Sequence, residues 1–145
     1  MLRATTLGTG PVVDTVTLDY DARFRRRVSL TGDGGLAFLL DLPAARELRE
    51  GDSLLLEDGK TVTVRAAPED LMEARADTPM ALARTAWHIG NRHLPCEIHA
   101  DCLRLRWDHV IAEMLTGQGC VVQRVTAPFQ PEGGAYGHGR THSHD

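Results

Sequence analysis

The hydrophobic pattern of this chain changes character at Ala66-Ala67-Pro68, and that change limits what it can fold into. Before it, apolar residues come in short alternating or continuous runs divided by turn residues; after it, helical spacing appears between strand-like runs. Val12–Leu18 alternates through Thr15 and Thr17 and meets a turn at Asp19-Tyr20-Asp21. Arg26–Leu30 alternates charge with Val28 and Leu30. Thr31-Gly32-Asp33-Gly34-Gly35 then turns the chain into Leu36–Leu40, an apolar run of buried-strand type. Leu54–Leu56 and Thr61–Arg65 flank Glu57-Asp58-Gly59-Lys60, where the Asp-Gly pair signals a hairpin. Pro43–Glu50 reads as one short helical turn stopped by Gly51. Short strands with these turns predict an all-β domain over residues 1–67, either a small barrel or two packed sheets.

Beyond the break, Glu69–Arg75 reads as a strand. Thr78-Pro79 supplies an N-cap and a proline at the first helical position. Met80, Leu82, Ala83, Ala86 and Trp87 recur at helical spacing until Gly90-Asn91, which reads as the helix stop. Leu94–Ile98 and Leu103–Trp107 pair around Ala100-Asp101. Asp108 caps a second helix whose buried face is Val110, Ile111, Met114 and Leu115, ending at Gly117 and Gly119. Cys120–Val125 closes the set. The order β-α-β-β-α-β is that of a ferredoxin-like unit over residues 68–130, which makes the fold class α+β. Residues 131–145 are Gly-rich with few apolar groups, and a flexible tail is expected there.

The chain has 145 residues, enough for one medium domain or two small ones with thin cores. Its net charge of −4 provides no global basic field for nucleic acid. The Arg25-Arg26-Arg27 run reads as the edge or solvent face of a strand, or as a contact for an acidic partner. The odd count of cysteines (Cys96, Cys102 and Cys120), without CxxC spacing, suits a reducing compartment. No apolar leader or membrane-length window is present, so a cytoplasmic location is expected.

All of the 7 histidines follow residue 87. Imidazole is the commonest protein ligand for late transition metals, so one part of the chain is marked for metal. His138, His142 and His144 lie in the tail, where a pliable chain can wrap an ion; an inert polar tail is the plain alternative. His88 falls in the last helical turn, where the helix dipole suits it. His93 lies past the helix stop, His99 near a turn and His109 just after the Asp108 cap, all compatible with ordinary surface positions.

The string Ala83–Pro95, ARTAWHIGNRHLP, resembles the signature of the UreE family of urease accessory nickel chaperones. LDYDARFRRRVSL, LAFLLDLPAARELREGDSLLLEDG and VRAAPEDLMEARA resemble the family's N-terminal half, and LRLRWDHVIAEML and APFQPEGGAYGHG its C-terminal half. The resemblance implies a non-enzymatic nickel metallochaperone with a peptide-binding-type β domain and a ferredoxin-like metal-binding domain that forms a homodimer. It implies that His93 of both copies meets at the dimer surface and that His138, His142 and His144 complete the site. Ni(II) is then cargo, for which Zn(II) or Cu(II) compete. The implied partners are the GTPase accessory protein and the urease maturation complex. Two departures stand out. Many relatives have denser histidine tails, and a second surface histidine pair of some members corresponds here to Trp107 and His109. The cysteines lie outside the family motif, and Cys96 and Cys120 read as structural thiols.

Two other functions compete. A small metal-dependent hydrolase would use His88, His93 and His109 as ligands with Asp108 or Glu113 as base, but no HExxH motif is present. A peptide-binding module with incidental metal would rest on an exposed strand edge of the first domain.

Overall fold

A computed structural model describes residues 1–133; the expected tail ligands His138, His142 and His144 lie outside the described residues. The chain divides into two compact units, the first being Met1–Ala67 and the second beginning at Pro68.

The first unit is one sheet. Its strands are β1 (Leu2–Leu7), β2 (Val12–Leu18), β3 (Phe24–Thr31), β4 (Ala37–Glu47), β5 (Ser53–Leu56) and β6 (Thr61–Ala66). They are ordered β2-β6-β5-β1-β4-β3, with β1–β4 and β2–β6 parallel and the other pairs antiparallel. Ala4, Phe38, Leu40, Leu54, Val62 and Val64 are fully buried in its core. The expected Asp-Gly hairpin joins β5 to β6, with Gly59 at φ +86° and Gly59 N donating to Leu56 O. That turn also explains Gly10, where a Cβ would stand 2.2 Å from Gly59 O.

Two expectations for this unit need correction. Strand β1 was not anticipated: LRATTL has little apolar alternation, and its core residue is the small Ala4. Pro43–Glu50 forms no helical turn, because β4 runs on to Glu47 and pairs with β3 through an irregularity between Arg25 and Arg27. Pro43 is tolerated at such a break in the ladder. The Arg26 guanidinium donates to Leu42 O there, and Leu48 N donates to Arg23 O. Eight residues of isolated helix have a costly nucleus and cannot match this sheet pairing.

The second unit contains β7 (Pro68–Arg75), α1 (Pro79–Asn91), β8 (Glu97–Ile98), β9 (Leu103–Arg106), α2 (His109–Gly117) and β10 (Val121–Pro128). Its antiparallel sheet has the order β10-β7-β9-β8. Met72 and Ala74 of β7 and Leu103 and Leu105 of β9 pack with Ile89 of α1 and Leu115 of α2. Thr78 caps α1 as expected, its Oγ1 accepting from Ala81 N, and Asp108 caps α2 by accepting from Val110 N and Ile111 N.

The buried stripe of α1 differs from the expected one. Thr85 and Ile89 are buried, with Leu82 and Ala86 beside them, whereas Met80 is 62% and Trp87 66% exposed. In α2, likewise, Val110 is exposed and Ala112 buried beside Leu115. The strand expected from Leu94 is confined to Glu97–Ile98, because the chain before it is spent on leaving the helix.

Across β7 and β9 lies a buried carboxylate, Glu73, which receives Arg75 Nη2 at 2.7 Å on one oxygen and Arg104 Nε at 3.0 Å on the other. Burial alone would raise its pKa, but the two guanidiniums hold it below the ordinary carboxylate value.

Candidate metal site

The end of α1 sets the geometry. Gly90 and Asn91 remain helical, and Arg92 is the C-cap. His93, at φ +59°, is the first residue beyond it. His93 N donates to Gly90 O at 3.0 Å and Leu94 N to Ile89 O at 3.3 Å. These bonds make a Schellman stop, with a histidine where glycine is usual. Leu94 joins the same apolar cluster as Ile89, the hydrophobic contact that accompanies this motif. The stop thus falls past the Gly90-Asn91 pair expected from sequence, because it is placed by the packing of Leu94. Its effect is to leave His93 exposed at the apex of the turn.

Among the described residues, this unit carries three further histidines, His88, His99 and His109. His88 is exposed in the last turn of α1, its ring edge-on to Trp87 at 5.2 Å between centroids. His109 opens α2 and is exposed. It lines an open groove of about 590 Å³ with Trp107, Glu113 and Arg124. Arg124 lies over the Trp107 ring at 4.3 Å and holds Asp70 with a fork of 2.9 and 2.5 Å. Trp107 thus packs under a cation, and it stands where a second imidazole would have to lie beside His109.

His99 is more than a turn residue. Its Nε2 lies 2.8 Å from Glu97 Oε1, while Glu97 Oε2 accepts from Gln130 N at 2.8 Å. Two residues beyond Gln130, Glu132 N donates to Cys96 O at 2.9 Å. Glu97 is itself buried. The segment leaving β10 is thereby fastened beside β8, which begins four positions along the chain from His93. No motif announces Glu97; the only signal was its i, i+2 relation to His99, which puts both on one face of a strand.

The cysteines are free thiols: Cys102 and Cys120 are buried, and Cys96 is half-buried. Burial, followed by the charges of Glu97 and Glu132, pushes the Cys96 thiol up to about 12. Among the described residues, no three His, Cys, Asp or Glu side chains converge as a metal site. No helix among them is long and apolar enough to cross a membrane.

What fold and site define is a mixed α+β protein of two units, the second of which presents an imidazole on a hydrogen-bonded surface turn. Family models for the UreE urease accessory protein match it, the N-terminal domain over residues 3–67 and the C-terminal domain over 69–145. It is 53% identical to the urease accessory protein UreE of Chelativorans sp. (strain BNC1), over all of this chain and 91% of the relative. It is 56% identical to that of Rhodopseudomonas palustris (strain HaA2), over 87% of this chain but 59% of the relative's length. The protein of Azorhizobium caulinodans is 53% identical over 92% of this chain and 67% of its own. The chain belongs to the UreE family, whose members are accessory proteins of urease and not enzymes.

Proposed function

We propose that this protein carries Ni(II) for the assembly of the urease active site, holding it between two copies of the chain. One observation supports this most: Glu132 N on Cys96 O fastens the root of the tail beside the turn that carries His93. From Cys96 back to His93 is at most about 11 Å of chain, and Glu132 to His138 spans up to about 20 Å when extended. His138 can therefore reach His93, with His142 and His144 available beyond it. A two-fold axis beside the His93 turn would bring two copies of that imidazole together. The remaining positions that nickel favours would fall to tail histidines.

Exposure suits a carrier. A site made from a surface turn and a tail segment can exchange ligands one at a time with an incoming protein, whereas a closed site retains its ion. The same reading takes residues 1–67 as a peptide-binding-type docking domain, 68–130 as a ferredoxin-like metal-binding and dimerisation domain, and 131–145 as the tail that carries the remaining histidines. The strand order β10-β7-β9-β8 with two helices supports the middle assignment. The GTPase accessory protein of urease maturation is the proposed recipient, the cytoplasm the proposed location, and Zn(II) and Cu(II) the competing ions.

Calorimetric titration with nickel tests this proposal. His93→Ala should remove the tightest site and leave a folded dimer. Truncation after Tyr136 should lower stoichiometry or affinity but leave a residual site. Unchanged tight binding in His93→Ala would sink the proposal.

A further inference from the structure

Strand β3 ends the six-stranded sheet and exposes Arg25, Arg26 and Arg27. Its pairing sets Arg25 directly opposite Arg46 of β4, and Arg27 opposite Asp41. Arg3 of β1 joins the group from the other side of β4, where it pairs with Leu39. Charge on this face is poorly matched. Asp41 is approached by Arg3 at 3.5 Å, Arg26 at 4.0 Å and Arg27 at 3.9 Å, so three cations share one carboxylate at long range. Arg25 and Arg46 form no ion pair among the described residues. Elsewhere in the same unit arginines are matched individually, Arg49 with Glu47 at 2.5 Å and Arg65 with Glu50 at 2.8 Å.

Two like charges placed directly opposite in a ladder destabilise it, and nothing in the sheet requires arginine at either exposed position. An anion that bridges them would remove the conflict. Arg25, Arg26 and Arg27 are consecutive exposed cations at the irregularity of the β3–β4 ladder, a density of guanidiniums that an extended chain bearing several carboxylates can bridge. Guanidinium binds carboxylate with a two-pronged fork that suits such a chain. With a net charge of −4, this patch is local and not part of a general field for nucleic acid.

We propose that the face formed by Arg3, Arg25, Arg27 and Arg46 docks an acidic, extended segment of a partner protein. It gives the first unit a recognition task of its own, and nickel binding need not change when it is lost.

The test uses the full chain and a fluorescein-labelled peptide with glutamate at every second position, followed by anisotropy. Arg46→Glu should weaken binding about tenfold or more. The same change turns a like pair into an opposite one, so it should raise the melting temperature while binding falls. The double variant Arg25→Gln/Arg46→Gln creates no new ion pair and should also weaken binding, whereas Lys60→Glu, on the β5–β6 turn, should not. Affinity within about twofold of wild type in both arginine variants would overturn the proposal. So would equal affinity for the lysine version of the peptide, or tighter binding of duplex DNA or of phosphatidylglycerol vesicles.

Discussion

His93 occupies a backbone position that costs an L-residue of order 1 kcal/mol, since its Cβ crowds the neighbouring carbonyl at positive φ. Histidine tolerates this region better than most side chains, but glycine does so without penalty. A stop that keeps an imidazole here gives up stability to hold that ring at the apex of a hydrogen-bonded turn. His93→Gly should therefore stabilise the metal-free protein by about 0.5–1 kcal/mol while removing the tight nickel site proposed above. Urea unfolding beside a nickel titration measures both; a glycine variant less stable than wild type would show that the conformation carries no strain. At this scale the caps were legible, because Thr78 and Asp108 act on amides two or three residues away. The position of the helix stop was not. Gly90-Asn91 has the local chemistry to end a helix, yet the end is set by where Leu94 can pack on Ile89.

Between elements, Glu73 ties β7 to β9 through Arg104, and Arg75 grips the same carboxylate from its own strand. Its folded pKa lies below the ordinary 4.5. The stability from this carboxylate is therefore fully present above that value and is lost as pH falls through the lower folded one. Asp70 and Asp101, lowered by Arg124 and Arg75, act with the same sign. Glu73→Gln should cost about 2 kcal/mol at pH 7, the scale of charge-assisted bonds lost from a buried group. The difference from wild type should narrow as pH falls through the lowered folded value of Glu73, below which both chains lack the charge. Urea denaturation at pH 7 and along a descending acid series checks this, and a difference that stays constant along the whole series would reject the assignment. Elements with local signals, such as the Asp-Gly hairpin and both helices, were legible in sequence. Segments whose state is decided by a distant neighbour were misread: the stretch from Pro43 looks helical alone and is held extended by Arg25 and Arg23.

For the whole molecule, the division after Ala67 was legible because periodicity changes there, and the compact units meet at the same residue. A surface proposed for self-association is harder to read, because it has the pattern of a core. Met80 and Trp87 have the spacing of a buried helical stripe, yet both face solvent on α1 in a single chain. They lie on the helix that leads into the His93 turn, so a second copy packed on them would also bring the second imidazole. Trp87→Asp tests that link. A central tryptophan in an interface is commonly worth 2 kcal/mol or more, so dimer dissociation should strengthen at least about thirtyfold. Sedimentation velocity over a concentration series measures it. At concentrations where the variant is monomeric, its tight nickel site should vanish with His93 intact, because one copy supplies only one such ligand. A monomer that still binds nickel as tightly as wild type would separate the metal site from the dimer and require all its donors within one chain.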